Sequence, residues 1–284
     1  MTILGDDGQL WDQQGIVYTT GRGVLVNPGI VAHQKGAWSS VAFTADRDYN
    51  GFLFQVFMQP ASGFGVGWAF DLAWSNVDTF SPETNVYTFV RNLIVQSPSQ
   101  LSAGLTFHIP MAIPTGATIY VRCQQNTTTA NNTLDVAITG LADGVDGSPA
   151  YGICTSYGTL TTGTQQRGTA VTAGTAPTLG GWVDLTSIAP LSHPVRALIL
   201  SMFTIGAIAS TARIYWDIGL GVPADPPTVL IPNIAQAVSS THDQYIPQII
   251  GPIPVQIPAG KSISVRGTHS ISPPALRVAL YTFS

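Results

Sequence analysis

The sequence predicts an all-β protein: two tandem, duplicated antiparallel β-sandwiches of jelly-roll type, preceded by a short N-terminal arm. Three observations carry that prediction. Charged residues make up only 9% of the 284-residue chain, against roughly 25% in an average soluble protein. There is a single glutamate, Glu83, and there are two lysines, Lys35 and Lys261, so two residue types that build surface helices are nearly missing. Gly, Pro, Thr, Ser and Val fill the space, a composition of strands and turns. The second observation is a repeat: IPTGATIYVR (Ile113–Arg122) returns as IPAGKSISVR (Ile257–Arg266), 144 positions later. The third is periodicity, with short runs alternating apolar and polar between Gly, Pro and Asn turns, and no sustained helical period with caps.

The repeat extends well beyond ten residues. Upstream, FHIPMAIPTG (Phe107–Gly116) faces GPIPVQIPAG (Gly251–Gly260); downstream, LDVAI (Leu134–Ile138) faces LRVAL (Leu276–Leu280). Toward the N-terminal side, RGVLVNPG at Arg22 faces RGTAVTAG at Arg167, and KGAWSSV around Trp38 faces GGWVDLT around Trp182. FLFQVFM (Phe52–Met58) is placed opposite ALILSMF (Ala197–Phe203), and WAFDLAW (Trp68–Trp74) opposite IYWDIGL (Ile214–Leu220). The matches keep one order, and loop insertions account for the small drift in offset.

In chain order, residues 1–20 are an arm that precedes the first copy and has no counterpart at the C-terminus, whose apolar start MTIL is expected to dock on the body or on a neighbour. Residues 21–142 form the first sandwich. In IPTG, Pro fixes φ and Gly supplies the positive-φ position that opens the strand ATIYVRCQ; FLFQVFMQ is dense enough for the centre of a sheet. Residues 143–163, beginning with the Gly- and Asp-rich DGVDGSPAYG, are the linker, and residues 164–284 the second sandwich. Helices are expected to be few and short, and strands spaced at such intervals with such turns indicate jelly rolls.

Charge and composition exclude several classes. A net charge of −4 with no basic cluster leaves no footprint for a phosphate backbone. Mean hydropathy is positive, yet every apolar stretch is interrupted well short of the ~20 residues of a spanning helix. The start MTILGDDGQLWDQQ has neither a basic n-region nor an apolar h-region, so synthesis in a cytoplasm is the expectation. Cys123 and Cys154 then read as buried thiols rather than a disulfide, and the sequons at Asn126 and Asn131 as a polar hairpin loop. A free monomer gains solubility from charge, and a subunit set among neighbours needs less.

Catalytic patterns are scarce. His33, His108, His193, His242 and His269 are scattered singly, without metal-ligand spacing, and no nucleophile elbow or nucleotide-binding glycine pattern occurs. Thr241–Asp243 sets a His beside an Asp, but neighbours on a strand point to opposite faces. Asp46 and Asp48 read as a turn rather than a carboxylate pair, and DGVDG (Asp143–Gly147) as a linker turn rather than a calcium loop. No catalytic, metal or cofactor site is assigned. Three charged pairs recur in both copies: Arg22 with Arg167, Arg122 with Arg266, and Asp71 with Asp217. Their first reading is internal Arg–Asp pairing, because a half-buried charge without a partner costs several kcal/mol; the second is contact between subunits. Trp38 and Trp182 match between copies and read as core, while Trp11 in the arm is the interface-anchor candidate.

The runs IPTGATIYVRCQ and IPAGKSISVRGT resemble a motif of small β-sandwich virion proteins encoded by tailed bacteriophages, although the second copy reads VRGT where the motif has a Gln. The resemblance covers both halves. It implies a structural building block of the head or tail exterior without enzymatic activity, its partners being major capsid or tail subunits and copies of itself. Capsid decoration and a tail, baseplate or fibre-attachment role are the two placements. A glycan- or receptor-binding sandwich is the alternative; an exposed aromatic cluster would favour it, and no convincing one is found.

Overall fold

The structure is a computed structural model of the chain, and it describes residues 2–4, 10–14, 23–32, 34–59, 67–76, 87–96, 105–125, 133–142, 151–158, 168–186, 190–205, 212–222, 226–238, 248–270 and 275–284. The described residues are all strand, turn and loop, with no helix among them. The first copy contains β1 (Thr2–Leu4), β2 (Leu10–Gln14), β3 (Val24–Val26), β4 (Ser39–Thr44), β5 (Tyr49–Gln59), β6 (Gly67–Ser75), β7 (Tyr87–Gln96), β8 (Leu105–Ile109), β9 (Thr118–Gln125) and β10 (Thr133–Ala142). The second contains β11 (Cys154–Tyr157), β12 (Thr169–Val171), β13 (Gly174–Thr175), β14 (Val183–Asp184), β15 (Val195–Ile205), β16 (Ala212–Gly221), β17 (Thr228–Val238), β18 (Gln248–Ile257), β19 (Ser262–His269) and β20 (Ala275–Phe283).

Apart from β1, which pairs with β2, and β13, which pairs parallel with β19, strand order is the same in both copies. β2 and β3 line one edge of β10, whose other edge pairs with β5, followed by β8; the opposing sheet runs β4-β9-β6-β7. In the second copy β11 and β12 line β20, followed by β15 and β18, opposed by β14-β19-β16-β17. With each pair of first strands taken as one position, both copies read 1-8-3-6 against 2-7-4-5. That is the order of a jelly roll, two Greek keys folded into facing sheets. The two sheets are filled by alternate residues: Phe52, Phe54 and Val56 of β5 face Phe70 and Leu72 of β6, all fully buried, and Phe54 meets Phe70 edge to face at 5.4 Å. Each such side chain contributes about 1.5–3 kcal/mol by leaving water.

The recurring IPTG and IPAG turns occupy the same place. Gly116 and Gly260 carry φ of +81° and +82°, a region glycine enters without steric cost. Each turn is tied to the loop entering the third strand position, through Gly116 N to Ala45 O at 2.7 Å and Gly260 N to Leu191 O at 2.8 Å.

Three expectations need correction. Part of the arm does have a counterpart, at the start of the second copy. β2 pairs with β10 at Trp11↔Leu141 as β11 pairs with β20 at Cys154↔Phe283, so the two are the same element of the repeat. It follows that part of the expected linker, residues 154–157, is a strand of the second sandwich. Finally, the match of β5 to β15 slips by one residue: Met58 and Thr204 oppose the equivalent Leu134 and Leu276, which sets Phe52 opposite Leu198 rather than Ala197. A one-residue slip exchanges the two faces of a strand. It went unmarked in the sequence because both faces of β15 are apolar.

That second apolar face is covered by the first copy. Ala197 and Ile199 of β15, with Ala279, Tyr281 and Phe283 of β20, belong to the hydrophobic cluster of the first copy, while Leu198, Leu200 and Val278 belong to that of the second. β7 packs on β11 and β8 on β18. Tyr281 Oη donates to the Asn92 carbonyl at 2.7 Å, and Tyr151 and Phe283 lie ring against ring at 6.2 Å.

Candidate functional site

The structure brings together four of the recurring charged residues as two equivalent pairs, one in each copy. In the first copy Asp71 on β6 stands directly across from Arg122 on β9. Arg122 Nε donates to Asp71 Oδ2 at 2.8 Å. In the second copy Asp217 on β16 stands across from Arg266 on β19, and Arg266 donates from Nε and Nη2 to Asp217 Oδ2 at 3.0 and 2.9 Å. The carboxylates are deep, with side chains 5% and 7% exposed. They sit on the outer face of their sheet, since Phe70 and Leu72 beside Asp71 point to the core and neighbours on a strand alternate.

Each guanidinium is also covered by an indole. Arg122 Cζ lies 4.4 Å from the centroid of Trp38, and Arg266 Cζ 4.3 Å from that of Trp182, within the range of cation–π attraction. The expectation that these tryptophans are core is therefore corrected. Both are half-buried, held on the outside of the sheet by the loop that precedes the second strand position. That loop returns over the sheet through Gly36 N to Cys123 O and Gly180 N to Gly267 O, both at 2.9 Å. At these two glycines a Cβ would run into the carbonyl oxygens of Asn27 and Thr172, which explains why the loop carries Gly in both copies.

One pair of residues escaped the sequence comparison. Asn92 on β7 and Asn233 on β17 have φ of +53° and +55°, and their N–H groups donate to Asp71 Oδ1 at 2.9 Å and Asp217 Oδ1 at 3.0 Å. The pairing explains why. Phe70 opposes Leu93 and Leu72 opposes Val90, so Arg91 and Asn92 together face Asp71; Pro232 and Asn233 likewise face Asp217. This is a β-bulge. Asn tolerates the left-handed conformation, and the Asp carboxylate takes up the N–H that the bulge removes from the ladder. The signal was present as VRNL (Val90–Leu93) and IPNI (Ile231–Ile234), but an Asn in a strand reads as a turn.

The two clusters differ in one residue. Lys35 Nζ donates to Asp71 Oδ1 at 2.7 Å and to Ala69 O at 3.4 Å, whereas the same offset from Lys35 reaches Leu179 in the second copy. Burial pulls the Lys35 ammonium below the usual lysine range, and Asp71 pulls it back up. Asp71 thus accepts from two cations and a backbone N–H, which leaves it a clamp across strands rather than a free acid or base.

The other candidates lie apart. Trp11 is on β2, in register with Ile3 and Leu141, and Arg22 and Arg167 lie outside the described residues, as do His33, Thr241–Asp243, Asp143–Gly147, Asn126 and Asn131. Asp46 and Asp48 are occupied in a turn. Asp46 accepts from Arg47 Nη2 and Tyr49 Oη, both at 2.7 Å, and Asp48 Oδ1 accepts from Thr115 N at 2.7 Å and Oγ1 at 2.8 Å. Among the histidines His108 is half-buried and held below its ordinary pKa by burial, His193 is exposed, and His269 on β19 is buried. Cys123 and Cys154 are free thiols; burial pushes Cys123 up to about 12 and raises Cys154 too. Among the described residues no group of three His, Cys, Asp or Glu side chains is placed to hold a metal ion.

No protein-family model and no curated protein matches the chain. Among solved structures, the N-terminal CBM22-1–CBM22-2 tandem domain of Xyn10C from Paenibacillus barcinonensis is similar over 96% of this chain and 93% of its own length, with 11% identity and a TM-score of 0.27. A likeness that loose has no bearing on what this chain does.

Proposed function

We propose that this chain is a non-enzymatic structural component of a tailed-bacteriophage virion, an accessory protein packing on the exterior of head or tail among major capsid or tail subunits and copies of itself. The observation that carries the reading is the docking of the two jelly rolls on each other, through Ala197, Ile199, Ala279, Tyr281 and Phe283. Two similar bodies held by a packed apolar contact make one block with two related faces, suited to bridging neighbouring sites in a symmetric assembly. The recurring carboxylates support the same reading, because each accepts hydrogen bonds at both oxygens from its own sheet. The resemblance of IPTGATIYVRCQ and IPAGKSISVRGT to the phage motif supplies the context.

Quantitative mass spectrometry of purified particles tests the reading. Hundreds of copies, relative to the major capsid protein, mean capsid decoration, and a few copies, or a multiple of three or six near a dozen, mean the tail. Absence from the particle overturns the virion role and brings a glycan- or receptor-binding sandwich forward.

A further inference from the structure

The outer face of the sheet β4-β9-β6-β7 gathers cations that lie far apart in the sequence. Arg91 on β7 and Arg122 on β9 stand on it, and Lys35 reaches over it from the preceding loop to Asp71 and Ala69 O. Asp71 is the one acidic residue in its four strands. Three cations against one carboxylate give a net charge of +2, on a chain whose net charge is −4. The equivalent sheet β14-β19-β16-β17 sets Arg213 and Arg266 against Asp184 and Asp217, and is balanced when histidine is counted as neutral. Leu179 stands there in the place of Lys35.

The surplus charge is presented at Arg122. In the second copy Arg266 uses both Nε and Nη2 on Asp217. In the first, Lys35 and Asn92 N occupy Asp71 Oδ1, and Arg122 gives Asp71 its Nε alone. Among the described residues nothing accepts from either Nη of Arg122, whose side chain is 29% exposed. Trp38 covers the flat face of the guanidinium and leaves the edge that carries those donors. Such an edge is a planar fork that matches the two oxygens of a carboxylate. The Nε bond and the indole already hold it in place, so little side-chain freedom is left to lose on binding.

We propose that the Nη edge of Arg122, beside Trp38 and Lys35, is a binding site for a carboxylate, and one that the second copy lacks. A phosphate also fits a guanidinium fork, but it brings further oxygens. Ala69 and Ala73, which share the outer face with Asp71 on β6, have no side-chain donor to meet them. In the structural role proposed above, the carboxylate is an Asp or Glu side chain of a neighbouring subunit. That source rests on the structural reading, whereas the site itself does not. Binding is measured in solution whatever particles contain, so its failure leaves the particle count to decide the structural role.

Nitrogen-15 NMR on the full chain tests it, following the Trp38 and Trp182 indoles and Arg122 Nε. Sodium acetate replaces sodium chloride at constant ionic strength, up to about 200 mM, because exposed ion pairs are weak and screened. The Trp38 and Arg122 signals shift and saturate, while Trp182 stays still. Arg122→Lys keeps the charge and loses the fork; Lys35→Met keeps the fork and loses a charge. Each weakens acetate binding at Trp38 by at least about threefold, and an unchanged Trp182 signal shows that the chain is folded. If either variant loses that signal, Arg122→Gln and Lys35→Gln replace them with the same expectation. A capped tripeptide of glutamate distinguishes the source. Tighter binding per carboxylate than acetate assigns the site to an acidic segment of a partner, and equal or weaker binding to a small free carboxylate. Signals that do not saturate, that move equally at Trp182, or that survive Arg122→Lys unchanged overturn the proposal. So does inorganic phosphate binding more tightly than acetate.

Discussion

Tyr281 Oη donates to the backbone carbonyl of Asn92 at 2.7 Å, with both residues buried. The same Asn92 gives its N–H to Asp71. The bulge that the Asp71 clamp holds in the first copy is thus also a point at which the second copy is fastened, and this clamp and the contact between copies share Asn92.

Tyr281→Phe removes that buried bond, a loss of about 1–2 kcal/mol. Tyr281→Ala also opens a cavity between the copies, with an expected loss of about 3–5 kcal/mol. Differential scanning calorimetry checks both variants. Tyr281→Ala is expected to split a single unfolding transition into two, as each jelly roll then melts by itself. One unsplit transition argues that the copies are held chiefly elsewhere.

The two clamps are predicted to differ in strength. Asp71→Ala strands two cations, Lys35 and Arg122, and Asp217→Ala strands Arg266 alone. Breaking a buried pair from one side costs about 3–5 kcal/mol, and Asp71→Ala belongs at the top of that range, with Asp217→Ala below it. Urea unfolding measures the order. A further Lys35→Met change in the Asp71→Ala background recovers part of the loss, since it removes one unpaired charge.

The bulge asparagines make a backbone prediction. At Asn233, with φ of +55°, Gly substitutes with little change. Val, whose branched side chain resists the left-handed region, costs about 1–2 kcal/mol. Equal losses for Gly and Val in urea unfolding show that the asparagine side chain, not the backbone, is what matters there.

Acid acts on the turn at Asp46. The Arg47 guanidinium and then the Tyr49 hydroxyl hold its carboxyl at about 2, below the ordinary 3.8. A depressed pKa gives stability that is complete above the ordinary value and lost as pH falls through about 2; the pair is exposed, so the contribution is small. Carbon-detected NMR titration is expected to place the Asp46 midpoint near 2. Tyr49→Phe moves it upward while leaving it depressed, because Arg47 remains. An unshifted midpoint in Tyr49→Phe rules out the hydroxyl as a cause.

Much of this architecture is written along the chain. The duplication, the all-β class, the IPTG and IPAG turns, and the recurrence of Asp71 with Asp217 and Arg122 with Arg266 are patterns in one dimension, so alignment of the sequence with itself determines them. What the tertiary structure decided depends on contacts between distant residues. Arg122 meets Asp71 across 51 positions, and Tyr281 meets Asn92 across 189. The register of β15 was settled by the first copy covering its outer face, since a strand apolar on both sides has no pattern to read. The equivalence of β2 with β11 emerged only from their shared pairing with the last strand, because their residues have diverged. Trp38 and Trp182 were placed by the guanidinium beside each, which holds an indole at a half-buried site where their match between copies had read as core.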